Sequence, residues 1–370
     1  MRRGDVAAGM GRGKGTIAAG AAPAGQPSAR GTGRPTIRDV AKLANVSRMT
    51  VSRVISAPDL VLPATRDRVN KAIADLGYVP DKAAGSLSSR RTGFIALMLP
   101  TLTNANFAAV AHGLTEALRE ADYHLLIAYT EYDMQEEERQ LRNLLARRPE
   151  AIVLTGATHN RDATKMLLAA DIPIFEIADM PGRPIEHVIG FSNHQVGRTA
   201  ARYLIEKGFT RIGALGGSYD GNVVDHRGEE RMRGFEEELR HRGLSTQAVI
   251  RHGTAPLSYD HGAEALDALL ARAPDTEAVF AVSDLSAVGV VMECRRRGIA
   301  VPDGLSVMGF GDFEIGRVLD PLLTTIHVDF TALGRQAGEL LIARLTGSDD
   351  GETHRVDVGL RVIERASVRA

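Results

Sequence analysis

Two arginines and a handful of hydroxyls within TIRDVAKLANVSRMTVSRVI, residues 36–55 of a 370-residue chain, are the side chains best suited to reading another molecule. A guanidinium can present two donors to the O6 and N7 of guanine, which discriminates by roughly 1–3 kcal/mol, and serine and threonine hydroxyls suit phosphate oxygens. The spacing predicts how they are presented. Thr36 is an N-cap candidate with Asp39 three residues on, close to a capping box, and its oxygen can take an amide proton that a helix start leaves unpaired. Ile37, Val40 and Ala41 fall on one face, and Ala41 is small enough for a second helix to cross closely. Asn45 sits where the chain must reverse, because Asn tolerates the left-handed backbone region. Ser47 can cap a second helix in which Val51, Val54 and Ile55 point inward and Arg48, Met49, Ser52 and Arg53 are free for a major groove. This is the outline of a helix-turn-helix; taken alone, it reads equally as two surface helices with solvated charges.

The elements around the segment decide between those readings. A third helix opens at Thr65 and runs through Val69, Ala72, Ile73 and Leu76 to Gly77, so three helices can close a small core. Tyr78-Val79-Pro80 then lead into DKAAGSLSSRRTG, a weakly helical stretch with Lys82, Arg90 and Arg91. From Gly93 onward, short apolar runs alternate with helix-length amphipathic segments: FIALML, HLLIAY, AIVLTG, IPIFEI, RIGALG, EAVFAV and LSVMGF. That alternation predicts an α/β fold, two doubly wound parallel-sheet subdomains behind a helical head. Open sheets of this kind bind ligands beyond the carboxyl ends of their strands, so two of them facing each other would enclose a small polar molecule. The polar groups at strand ends are then the candidates: Asn104 after the first run with Phe107 beside it, Asp179 after the fourth, Asp225, Arg227 and Arg231 in VVDHRGEERMRGF, Ser283-Asp284, and Gly311-Asp312.

Charge divides the chain. The net charge of -1 conceals six basic and one acidic residue over 1–34, ten and five over 35–92, and a net -11 over the remainder. A cationic front suits phosphate and an anionic back does not, so binding to DNA should weaken steeply with salt. The single cysteine, Cys294, excludes an internal disulfide and fits a reducing cytoplasm; no spacing suggests a metal, and no apolar run approaches a membrane span. Residues 1–34, rich in Gly, Ala, Arg and Pro, have almost nothing to bury and read as disordered; they either add nonspecific attraction for DNA or reflect a start codon assigned too far upstream. GRGKGT within them has Gly15 after Lys14 and no preceding strand, so it is not a phosphate loop.

TIRDVAKLANVS, TVSRVI and LGYVPDKAAGSL, with the α/β region behind them, resemble the lac repressor family of bacterial transcription regulators over residues 36 to about 366, and Arg48-Met49 looks like its gluconate-repressor branch. The resemblance implies base-reading roles for Arg48, Met49 and Arg53, backbone contacts for Thr36, Thr50 and Ser52, and a hinge helix bearing Lys82, Ala84 and a leucine, Leu87, that wedges into the minor groove. Gly85 and Asp81 depart from the commoner pattern; a helical glycine costs about 1 kcal/mol, so the hinge is expected to order only on DNA. The implied organisation is a tail at 1–34, a helix-turn-helix domain at 35–79, a hinge at 80–92, and a ligand-binding and dimerisation domain of periplasmic-binding-protein type at 93–370. Its N-subdomain would take 93–191 and 321–348, its C-subdomain 192–320 and 349–370, with crossovers near Phe191, Asp320 and Ser348. Phe191 joins the effector candidates, and Arg231, which precedes GF by three residues, is the family's ligand-gripping arginine. Gly311 replaces an aspartate that grips hydroxyls or ring nitrogens in many relatives, which argues against a neutral cyclic sugar or purine.

The expected function is that of a cytoplasmic, nucleoid-associated regulator, a repressor, whose homodimer binds a palindromic operator under control of a sugar acid such as gluconate, without cofactor or membrane. A different sugar or sugar phosphate is the alternative effector, and the direction of coupling stays open. An enzyme on a doubly wound fold is the rival from another class; GALGGSYDG lacks the dinucleotide spacing, and no G-x-S-x-G, HExxH or Walker pattern occurs.

Overall fold

Asp39 accepts the Thr36 amide (2.8 Å) and hydroxyl (2.7 Å), and the first helix, α1 (Ile37–Leu43), begins there. Asn45 turns the chain at φ 53°, and Ser47 Oγ accepts the Thr50 amide (3.0 Å) to start α2 (Arg48–Ser56). The third helix, α3 (Pro63–Leu76), starts two residues before Thr65, because Pro63 occupies the first turn, where a missing N–H leaves nothing unbonded; it ends on Gly77 at φ 59°. Val40, Ala41, Val51, Val54, Val69 and Ala72 form the core of these three helices. Ile55 is exposed rather than inward, since one residue beyond Val54 rotates it about 100° away from the face that meets α1 and α3.

The computed structural model describes residues 34–80, 91–349 and 351–370, which fall in two units, 1–85 and 86–370. The expected tail and most of the expected hinge, including Lys82, Ala84 and Leu87, lie outside the described residues.

The second unit holds two six-stranded sheets. β1 (Phe94–Leu99), β2 (His124–Tyr129), β3 (Ala151–Thr155), β4 (Ile174–Ile177), β5 (His187–Gly190) and β11 (Arg355–Asp357) run parallel in the order β11-β5-β4-β3-β1-β2. β6 (Ile212–Gly216), β7 (Val249–Arg251), β8 (Ala278–Ala281), β9 (Ser306–Phe310), β10 (Thr324–His327) and β12 (Arg361–Ile363) follow the order β12-β10-β9-β8-β6-β7, with β12 antiparallel to β10. Both are doubly wound α/β sheets; their helices are α4 (Ala105–Arg119), α5 (Met134–Leu145), α6 (Arg161–Ala169), α7 (Asn193–Glu206), α8 (His226–His241), α9 (Tyr259–Arg272), α10 (Asp284–Arg297) and α11 (Phe330–Thr346).

The chain passes between sheets after β5, after β10 and after β11. The first passage is near Phe191 as expected, but the other two fall at about 328 and 358–360, not near Asp320 and Ser348. β10 pairs with β9 and so completes the second sheet before the chain leaves it, which places 324–327 with the C-terminal lobe. β11 pairs with β5, which places 355–357 with the N-terminal lobe. Strands of three or four residues carry too little apolar sequence to announce a change of sheet.

Three helix pairs cross at facing glycines. A Cβ on Gly197 of α7 would lie 1.8 Å from the Arg231 carbonyl oxygen of α8, and one on Gly234 of α8 would lie 1.9 Å from that of His194. Gly113 and Gly334 do the same for α4 and α11, and Gly262 and Gly289 for α9 and α10. Only hydrogen at these points lets the backbones approach so closely.

Candidate functional site

In the helical unit the exposed side of α2 carries Arg48, Met49, Ser52 and Arg53, with Met49 71 % exposed. Ser47 and Thr50 hydroxyls lie 2.8 Å apart, so Thr50 is half-buried and spends part of its hydrogen bonding on the helix start. Thr36 stays exposed at the head of α1. One helix face therefore offers two guanidiniums, a thioether and a hydroxyl to solvent, a set able to meet base edges and phosphates.

In the second unit, strand ends and helix starts converge on a cleft between the lobes that encloses about 620 Å³. Asn104, Asp225 and Ser283 each cap a helix whose N-terminus opens at this cleft, accepting the amides of Asn106 (3.0 Å), Gly228 (3.0 Å) and Leu285 (3.3 Å). Such helix starts favour negative charge. The floor is aromatic: Phe191, Phe310 and Phe330 meet pairwise with ring centroids 5.8–6.3 Å apart, two of them beside the segments that cross between lobes.

Arg231 is buried against this floor, its guanidinium 3.9 Å from the Phe310 ring centroid, with Nε donating to Asn193 Oδ1 (3.0 Å) and Nη1 to the Val282 carbonyl (2.8 Å). Burial lowers its pKa to about 10, so it remains cationic at neutral pH. Arg227, one turn earlier on α8, is 6 % exposed, lies 5.1 Å from the Phe107 ring centroid, and leaves Nη1 buried without a hydrogen-bond partner among the described residues. Burial, and then the Asp225 carboxylate, push the Tyr132 hydroxyl above its ordinary pKa, which makes it a neutral donor beside these cations.

A second cavity of about 420 Å³ adjoins the first and shares Tyr132, Asp225 and Arg227 with it. Over its mouth the lobes are stitched by backbone: Val224 N–H donates to the Tyr132 carbonyl (3.0 Å) and Met134 N–H to that of Asn222 (3.2 Å).

Of the effector candidates, Asn104, Phe107, Phe191, Asp225, Arg227, Arg231 and Ser283 line the main cleft. Asp179 lines the second cavity instead; its carboxylate accepts Asn193 Nδ2 (3.2 Å) and so orients the amide that holds Arg231. Asp284 and Asp312 line neither. Asp284 is fully buried, accepting the Phe313 amide (2.8 Å) and the Thr325 hydroxyl (2.7 Å), and burial raises its pKa to about 6. Asp312 is occupied by Arg365, Arg317 (2.8 Å) and His327 (3.1 Å); burial alone would raise its pKa, but the two arginines hold it below the ordinary range. A polar residue at a strand end can thus turn back into its own sheet.

The sequence reading missed Asn193, Tyr132, Thr101, Phe310, Phe313 and Phe330. Phe310 ends LSVMGF and Thr101 follows FIALML, so the strand-end rule applied to every residue type would have found both. Tyr132 carries no such signal, because a turn with φ 49° at Glu131 and 62° at Tyr132 puts it in the cleft.

Residues 36–81 match the model of bacterial regulatory proteins, lacI family, and residues 201–368 that of a periplasmic binding protein-like domain. The HTH-type transcriptional regulator GntR of Escherichia coli K12 is 31 % identical over 314 residues, which cover 85 % of this chain and 93 % of that protein. Among solved structures, a lacI-family transcriptional regulator from Silicibacter pomeroyi is 31 % identical, with a TM-score of 0.83 over 90 % of this chain and 99 % of the other. A complex of the regulator CelR with cellobiose is 32 % identical, with a TM-score of 0.64 over 90 % and 100 %. With a helix-turn-helix head, two doubly wound lobes and these relatives over nearly its whole described length, the chain belongs to the lacI family of bacterial regulatory proteins, on the gluconate-repressor side of that family, and is a DNA-binding transcriptional regulator and not an enzyme.

Proposed function

We propose that this protein is a cytoplasmic repressor whose homodimer binds a palindromic operator through α2, and that a sugar acid of the gluconate class, bound between the lobes, releases it. Arg48, Met49 and Arg53 read base edges, Ser52, Thr50 and Thr36 meet the sugar-phosphate backbone, and Lys82, Ala84 and Leu87 act at the hinge. In this reading residues 35–79 are the DNA-binding domain, 80–92 the hinge and 93–370 the ligand-binding and dimerisation domain, with its lobes divided at the strand pairings described above.

The observation that carries the effector class is the buried Arg227 Nη1, a charged donor without a hydrogen-bond partner among the described residues, at a cleft that also receives three helix starts. Leaving such a group unsatisfied costs about 1–3 kcal/mol, and a carboxylate answers it with a charge-assisted bond. Arg231, with two of its nitrogens already committed, presents its remaining one to the same ligand. A neutral sugar, as in the CelR–cellobiose complex, could answer Nη1 only with a hydroxyl oxygen, a weaker partner for a guanidinium than a carboxylate. Calorimetry of the full chain with gluconate tests the reading. Binding should be detectable and should weaken by roughly ten- to a hundredfold in Arg227→Leu, the loss of one charged hydrogen bond of about 1.5–3 kcal/mol. No heat and no change in operator affinity would dismiss it.

A further inference from the structure

We infer that the natural effector is a glycosylated sugar acid, with the acid unit in the main cleft and a neutral sugar unit in the second cavity. The inference rests on the sugar-acid reading and extends it to the size of the ligand.

The main cleft and the second cavity adjoin, and each has a lining largely its own. A single six-carbon acid does not need both. Tyr132, Asp225 and Arg227 line both chambers, so the Arg227 guanidinium stands at the waist where the two meet, with its buried Nη1 3.7 Å from where a Cβ on Gly156 of the second cavity would lie.

Their chemistry differs. The main cleft has Arg231 and aromatic faces behind the waist. No cation beyond the shared Arg227 lines the second cavity among the described residues, which presents Asp133, Glu137 and Asp179 besides the shared Asp225. Behind it Glu137 bonds His159 (2.6 Å), whose pKa burial alone would lower but Glu137 and Glu176 raise to about 9, so the carboxylates still outnumber the cations. His226, which also lines it, is held below its ordinary pKa by burial and is neutral at pH 7. Carboxylates repel a second anion and accept hydroxyl protons, so this chamber suits a neutral polyol. Its floor holds a further unanswered group, Thr155 Oγ1 at the end of β3, buried without a hydrogen-bond partner among the described residues. A sugar ring joined to a middle carbon of an open-chain acid places the carboxylate and the glycosidic oxygen within a few bonds of each other, which matches a waist built on one guanidinium.

Titration calorimetry of the full chain with gluconate and with cellobionate, its glucosylated counterpart, tests this. Cellobionate should bind at least about tenfold tighter, the worth of two ordinary hydrogen bonds. Ala157 lines the second cavity and not the main cleft, so Ala157→Leu, which fills that cavity, should abolish the advantage while gluconate affinity stays within about twofold. Thr155→Val, nearly isosteric, should reduce it without the risk that a bulkier residue unfolds the lobe. If cellobionate binds no tighter than gluconate, or if both substitutions weaken the two acids alike, the two-chamber assignment fails while gluconate binding through Arg227 still stands. If neither acid binds, the sugar-acid reading fails and takes this one with it.

Discussion

Replacing Gly234 with alanine sets two opposite effects against each other on the helix that carries both cleft arginines. Within a helix, alanine is favoured over glycine by about 1 kcal/mol, so an unhindered site would gain stability. Here the new Cβ would lie 1.9 Å from the His194 carbonyl oxygen, against 3.4 Å for an ordinary contact, so α7 and α8 must part by about 1.5 Å. Overpacking costs about 1–3 kcal/mol, and the upper end applies because the struck atom is backbone and has no rotamer into which to retreat. The net is a loss of about 2 kcal/mol, which at roughly 2–4 °C per kcal/mol lowers Tm by about 4–8 °C. Differential scanning calorimetry of Gly234→Ala, Gly197→Ala and the double variant reads this directly. The two glycines face each other across one crossing, so a single separation relieves both clashes, and the double variant should lose little more than either single one. The same displacement pulls Arg231 on α8 from Asn193 on α7, which holds its guanidinium (3.0 Å), so gluconate affinity should fall in step. A Tm that holds or rises, or losses that simply add, would refute the claim that this crossing fixes the site.

The other expectations concern the two ends of the mechanism. Arg48→Ala should relax preference at one operator position by about 1–3 kcal/mol in gel-shift competition with permuted duplexes; a uniform loss over all sequences would make Arg48 a phosphate contact. Asp284, with its pKa raised by burial from 3.8 to about 6, binds its proton more tightly when folded, so its contribution to stability is complete below pH 4 and is lost as pH rises through 6. Relative to the wild type, Asp284→Asn should therefore gain about 3 kcal/mol between pH 4 and pH 7 in denaturant titrations, and a pH-independent difference would show that the carboxyl is not protonated in the native fold.

What the sequence disclosed followed from how strongly each feature repeats or caps. Asn45, Ser47 and Gly77 announced the first unit because each does something few residues do at a turn or cap. Seven strands announced the lobes because they lie in continuous apolar runs, as strands of a parallel sheet covered by helices do. β10, β11 and β12, written TTIH, RVD and RVI, have no such run, and only pairing with distant strands makes them visible; missing β10 misplaced the second passage and missing β11 the third. Asp284 and Asp312 illustrate a different limit. A position at the carboxyl end of a strand can be read from sequence, but whether its carboxylate faces the cleft depends on partners more than ten residues away, Thr325 for one and Arg365 for the other.

The contact between the lobes suggests why a small ligand can command them. Two backbone hydrogen bonds, Val224 to Tyr132 and Met134 to Asn222, each contribute about 0.5–1.5 kcal/mol net to holding the cleft shut. The turn that supplies them places Glu131 and Tyr132 in the left-handed region at φ 49° and 62°, at a cost of about 1–2 kcal/mol each for residues bearing a Cβ. Two bonds of this size hold the lobes by no more than about 1–3 kcal/mol together. A ligand shifts such a balance only by its differential affinity for the two forms, and couplings of about 1–3 kcal/mol are usual. An anion that answers Arg227 on the second lobe while touching Asn104 on the first has that differential affinity, because both halves of its site come together only when the lobes do.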